Sequence, residues 1–198
     1  MDLGRAVESL GKALGLRSDL FARMSIEDDW SFVIKAQAIL EAALTHFNTG
    51  RVNNAAVSKV LESLTVRGQR ASKLALFVAL GGSTQVRDFV DSLNRVRNNF
   101  AHDVQYVDHT LTDWIREHSE EKEFNSTVEK LLFRIPPTMA FRGLTMREYF
   151  EQFPREVLFV GLILSVALMF EYATPSSGQM PDISVSSEAE LMAHLRVS

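Results

Sequence analysis

The sequence predicts an all-α, single-domain helical bundle built around a central apolar helix. Three observations predict it. Apolar residues recur at helical spacing over most of the 198 residues, with no run of alternating strand pattern. Cap residues and glycine or proline stops punctuate those stripes at helix-length intervals. One run, Val157 to Phe170, is apolar on every side and so belongs inside a bundle or in a subunit interface.

The elements follow in order. A first helix is expected over roughly residues 5–24, weakened by Gly11 and Gly15. Asp28 or Asp29 caps a second, which runs to about Phe47 with Phe32, Val33, Ala36, Ile39, Leu40, Ala43, Leu44 and Phe47 on one face. Asn53 or Asn54 caps a short helix to Leu64, and another spans residues 69–80 until Gly81-Gly82 stops it. Ser83 or Thr84 then caps a helix whose core stripe is Val86, Phe89, Val90, Leu93, Val96 and Phe100. An acidic segment surrounds Trp114, and a helix is expected from Phe124 to Phe133 before Pro136-Pro137 breaks the pattern. Thr145 and Glu148 have capping-box spacing, and Pro154 either kinks that helix or starts the apolar one. The domain is expected to occupy residues 1–174. Pro175, Gly178 and Pro181 mark residues 175–198 as a flexible tail, with a weak helix over 187–195.

Composition narrows the function classes. There is no cysteine, so disulfides and thiolate metal sites are excluded, and no signal peptide is expected; the protein reads as cytoplasmic. The 14-residue apolar run is shorter than the ~20 residues a bilayer requires, so no membrane span is expected. Net charge is −4 but unevenly spread: residues 51–97 hold eight bases against three acids, and residues 103–151 hold ten acids against six bases. A basic middle of this kind permits a local anion site or is simply a solvated helix surface. The five histidines show no metal-ligand spacing, and neither a metal nor a cofactor is expected. Gly81-Gly82-Ser83 lacks the preceding strand of a phosphate loop and reads as a helix stop. A helix-turn-helix around residues 53–80 would place an apolar helix in the groove, so sequence-specific DNA binding is not expected.

The densest polar chemistry is Arg97-Asn98-Asn99-Phe100-Ala101-His102-Asp103. Arg97 follows Leu93 by four and Val90 by seven, which sets a guanidinium on the edge of the apolar stripe. It must snorkel, find a carboxylate such as Glu41, or await an anion. Asn98 and His102 share a face. His102 stands about 140° around the helix from Arg97, so the two converge only if the helix ends near Ala101 or a second subunit completes the site. An imidazole titrates near neutrality and can move a proton at a ribose 2′-hydroxyl, while a guanidinium holds the phosphoryl oxygens. That combination would be a metal-independent ribonuclease. The plainer reading makes His102 a favourable charge at a helix C-terminus.

These residues resemble the ribonuclease motif of the HEPN superfamily (higher eukaryotes and prokaryotes nucleotide-binding), where Arg, a polar residue and His map onto Arg97, Asn98 and His102. The resemblance implies a homodimer in which two motifs face one another. The segments Phe32 to Leu44, Ser72 to Gly81 and Leu93 to Asp103 are more closely similar to the mannitol operon repressor family, over about residues 30–103. That likeness implies an all-helical regulator acting through a partner. The expected function is therefore a HEPN-like regulator working through a protein or RNA partner; the alternative is an endoribonuclease of toxin or defence type using Arg97, Asn98 and His102.

Overall fold

The computed structural model describes residues 19–68, 71–102 and 104–182, with residues 12, 15 and 17 before them. Most of the first expected helix and the helix expected over 187–195 lie outside the described residues. Within that range the described residues include one helical turn, Leu20–Met24 (α1), whose Met24 is buried.

The long helix Asp29–Val52 (α2) begins where the Asp28 carboxylate accepts the Ser31 N–H at 2.7 Å. It runs five residues past the expected end, because Asn53 supplies the left-handed terminus at φ 47°. Asn54 caps Ala55–Ser63 (α3). The helix expected from residue 69 begins later, at Lys73–Ala79 (α4), where Ser72 accepts the Ala75 N–H. Gly81 at φ +90° ends it: the Gly82 N–H reaches the Phe77 carbonyl and the Gly81 N–H reaches that of Val78. Ser83 Oγ then accepts from the N–H groups of Gln85 and Val86, starting Thr84–His102 (α5).

A 3-10 turn, Val104–Asp108, leads to Leu111–His118 (α6), which forms in the segment read from sequence only as acidic. Next come Phe124–Leu131 (α7), a two-residue hairpin of Ala140–Phe141 (β1) and Leu144–Thr145 (β2), Met146–Gln152 (α8) and Pro154–Glu171 (α9). The hairpin was not expected. Its register pairs Ala140 with Thr145 around Arg142 and Gly143, both at positive φ, which is the turn that fits strand twist. Pro154 starts a helix rather than kinking one, and α8 and α9 meet at 108°. Among the described residues no single helix is long and apolar enough to cross a membrane.

The core is one seam. α9 packs chiefly on α2, and α2 on α5. Every residue of the expected α5 stripe is buried, as is the α2 stripe. Along α9, Leu158, Leu162, Val166, Ala167 and Met169 are buried, but Val157, Phe159, Val160, Ile163 and Phe170 are only partly so, and α2 rather than the apolar run lies in the middle of the seam. Contacts fix the directions. Trp30 Nε1 donates to the Phe100 carbonyl at 2.8 Å, so α2 and α5 are antiparallel. Asp29 pairs with Arg155, and His46 stacks on Phe170, so α2 and α9 run parallel. The start of α2, the end of α5 and the start of α9 therefore share one end of the bundle.

The expected tail is seated on the body over residues 175–182. Arg51 donates to the carbonyl oxygens of Leu80 (2.9 Å), Thr174 (2.8 Å) and Gly178 (2.5 Å), Met180 is buried, and Ser83 Oγ donates to Asp182 at 2.6 Å.

Candidate functional site

The motif occupies the last turn of α5, at the end of the bundle just described. Phe100 anchors it: its ring is buried against Tyr106, centroids 5.5 Å apart, while its carbonyl is held by Trp30. Asp29 braces the far side of the following turn. One of its carboxylate oxygens accepts the Leu111 N–H at 2.7 Å, and the other accepts from Arg155 Nε at 2.7 Å. Of the two aspartates at the head of α2, Asp28 is thus the cap and Asp29 the brace. The hydrogen bonds to Asp28 from the Ser31 N–H and hydroxyl hold its carboxyl below the usual range.

Arg97 and Asn98 are half-buried, and His102 is exposed. The Arg97 guanidinium donates to Asn98 Oδ1 at 3.1 Å. The carboxylate considered for Arg97 from sequence, Glu41, is instead bound by Lys73 at 2.8 Å. Lys73 is buried in α4, and the α2 face carrying Glu41 turns toward it. Among the described residues, no carboxylate pairs with Arg97 and no hydrogen-bonding group holds the His102 ring. The condition set by the spacing is not met inside one chain: the helix persists through His102, so guanidinium and imidazole keep an angular separation of about 140°. Arg97 and Asn98 are brought together; His102 stands apart from Arg97.

The basic character of residues 51–97 is largely internal. Arg67 pairs with Asp91 at 2.5 Å, and Arg87 and Arg134 both engage Asp88. Arg95 bridges Asp91 at 3.6 Å and Glu123 at 2.9 Å, and Arg51 is spent on carbonyl groups. What emerges at the end of α5 is a small mixed patch rather than a cationic track.

Beyond the motif, Glu117 gathers two partners that the sequence did not single out. Tyr106 donates to it at 3.0 Å and His109 Nε2 lies 3.1 Å from its other oxygen. Only the 3-10 turn brings Tyr106 and His109 onto the same face of α6, and no local pattern announces that turn. Among the described residues no three histidine or carboxylate side chains gather as a metal site.

Apolar side chains also reach solvent at this end. Ile26 before α2 is 84% exposed, Val107 in the 3-10 turn 50%, and Phe153 before α9 41%. Comparison with protein-family models, with curated proteins and with solved structures finds no match.

Proposed function

We propose that this chain is a helical regulatory protein that docks a partner protein on the end of the bundle formed by the start of α2, the end of α5 and the start of α9. The observation that carries the reading is the concentration of exposed apolar side chains there. Ile26, Val107 and Phe153 belong to the same end of the bundle as Arg97, Asn98 and His102, and solvent-facing apolar groups near polar ones are characteristic of protein interfaces. The state of the cations agrees. Nucleic-acid affinity rests on several uncommitted Lys and Arg side chains neutralising phosphates. Arg67 and Arg95 are already neutralised by Asp91 and Glu123, and Arg87 shares Asp88 with Arg134. The resemblance of residues 30–103 to the mannitol operon repressor family points the same way.

A photo-crosslinking residue placed at Val107 in the full chain, irradiated in cells, tests this. The expected product is a discrete protein adduct that is absent when the same group replaces Val60, which is exposed on α3. An adduct dominated by RNA, or identical adducts from both positions, would overturn the proposal.

A second reading is favoured by one observation: Arg97 lacks a carboxylate partner among the described residues, and His102 is exposed. In a homodimer that sets Arg97 of one protomer near His102 of its partner, the imidazole would take the 2′-hydroxyl proton. The resulting oxygen would attack phosphorus, and the bond to the 5′-oxygen would break as the imidazolium returns its proton to that oxygen, giving 2′,3′-cyclic phosphate and 5′-hydroxyl ends. Arg97 would stabilise the charge gathering on the phosphoryl oxygens.

A further inference from the structure

On a different face of α5 from Arg97, the helix meets α6 through one histidine and one carboxamide. The His118 ring stacks on Trp114, centroids 5.1 Å apart. Its Nδ1 lies 2.9 Å from the Trp114 carbonyl oxygen. A carbonyl oxygen only accepts, so this nitrogen carries a proton. Its Nε2 lies 2.9 Å from the Asn99 carboxamide. The neighbours of that carboxamide decide which end faces the ring. The Arg95 carbonyl oxygen at 3.2 Å calls for the NH2 group, and the Trp114 indole N–H at 3.2 Å calls for the oxygen. So oriented, the amide oxygen also faces His118 Nε2 at 2.9 Å, where a second ring proton is needed to satisfy it.

All of these groups are satisfied together only when the ring is an imidazolium. After loss of the Nε2 proton, a bare lone pair faces the amide oxygen. Turning the carboxamide over gives Nε2 a hydrogen, but sets NH2 against the indole N–H and the amide oxygen against the Arg95 carbonyl. Neither orientation completes the network, and partly satisfied networks rearrange. We infer that His118, Asn99 and Trp114 form a proton-operated switch, in which loss of the His118 Nε2 proton turns or releases the Asn99 carboxamide and reshapes the last turns of α5.

The charged surroundings are few. From the turn between α6 and α7, Glu121 lies 3.8 Å from Nε2. Glu123 and the Arg95 guanidinium of α5 line the same cleft of about 190 Å³ but pair with each other; α7 adds only Phe124 and Thr127. The consequence reaches the motif through the backbone. In the complete network Asn99 donates to the carbonyl four residues back, and that carbonyl belongs to Arg95, two residues before Arg97. The switch stands whether the end of α5 docks a protein or cuts RNA.

NMR of the full chain from about pH 5 to about pH 8, a range spanning ordinary imidazole titration, tests it. The expected result is that the Trp114 indole N–H, the Asn99 side-chain NH2 and the backbone amides of residues 97–102 all move with the midpoint of His118. At the low-pH end both His118 ring nitrogens carry protons. In Asn99→Asp, whose side chain only accepts, the indole signal holds its low-pH position throughout. An indole and carboxamide that stay fixed while His118 titrates would overturn the switch, as would a neutral ring protonated on Nε2. The isosteric Asp variant and the wild type decide the matter even if a larger change at Asn99 prevents folding.

Discussion

Glu41 is the residue where local pattern and tertiary contact part ways. On a helical wheel it sits at the polar edge of α2, free to serve Arg97 or His102; in the fold a lysine 32 residues away claims it. Lys73 is 5% exposed and Glu41 43%, so the buried ammonium has a charged partner that still meets water. No spacing rule announces that pairing. His46 carries a second consequence at this scale. Its ring lies flat on Phe170, centroids 5.1 Å apart, and burial pushes its pKa below the ordinary 6.5. The folded state therefore favours the neutral ring. This contribution is complete above about pH 6.5 and is lost as pH falls toward the lower folded value, where the unfolded chain binds the proton more readily. In urea titrations, wild type is expected to lose stability relative to His46→Phe on acidification through this window. The loss is a fraction of a kcal/mol, because the ring is only half-buried. A constant difference between the two proteins at all pH values would contradict the assignment.

Among the elements, those with a cap and a stripe were readable in advance. Asp28, Asn54, Ser83 and the Thr145–Glu148 box start helices where the pattern said they would, since each works within one turn of backbone. The late start of α4 was readable in principle, since Ser72 is a favoured cap, but the expected range began three residues before it. The hairpin was not readable, because its two-residue strands are too short to alternate. Helix crossings depend on single residues that periodicity does not distinguish. Gly161 is the clearest: a Cβ there would meet the Phe89 ring at 2.3 Å and Phe133 at 3.0 Å, so α9 approaches α5 only through a missing side chain. Gly161→Ala is expected to destabilise the fold by about 1–3 kcal/mol through overpacking, read by chemical denaturation. An unchanged midpoint would show that this crossing is looser than described.

At the scale of the molecule, the site is a product of long-range closure. Trp30, Asp29 and Arg155 tie the heads of α2 and α9 to the end of α5, and the apolar groups of three separate segments surface together there. The motif residues themselves stood out in the sequence, but the company they keep did not, because it comes from distant residues such as Asp29 and Arg155, 126 positions apart. The opposite end closes through Arg51, whose guanidinium ties the segment after α9 to the turn before α5. Arg51→Met is expected to cost about 3 kcal/mol, since several carbonyl groups lose a charged donor. Amide exchange should rise over residues 174–182 and the first turn of α5; protection equal to wild type would contradict the clasp.

The central claim is that the end of α5 is a docking face, not a nuclease centre. Purified wild type, Arg97→Ala and His102→Ala are to be incubated with total cellular RNA in excess EDTA, and the ends of any fragments identified. The account predicts intact RNA with all three proteins. Fragments bearing 2′,3′-cyclic phosphate from wild type, abolished in both folded variants, would contradict it.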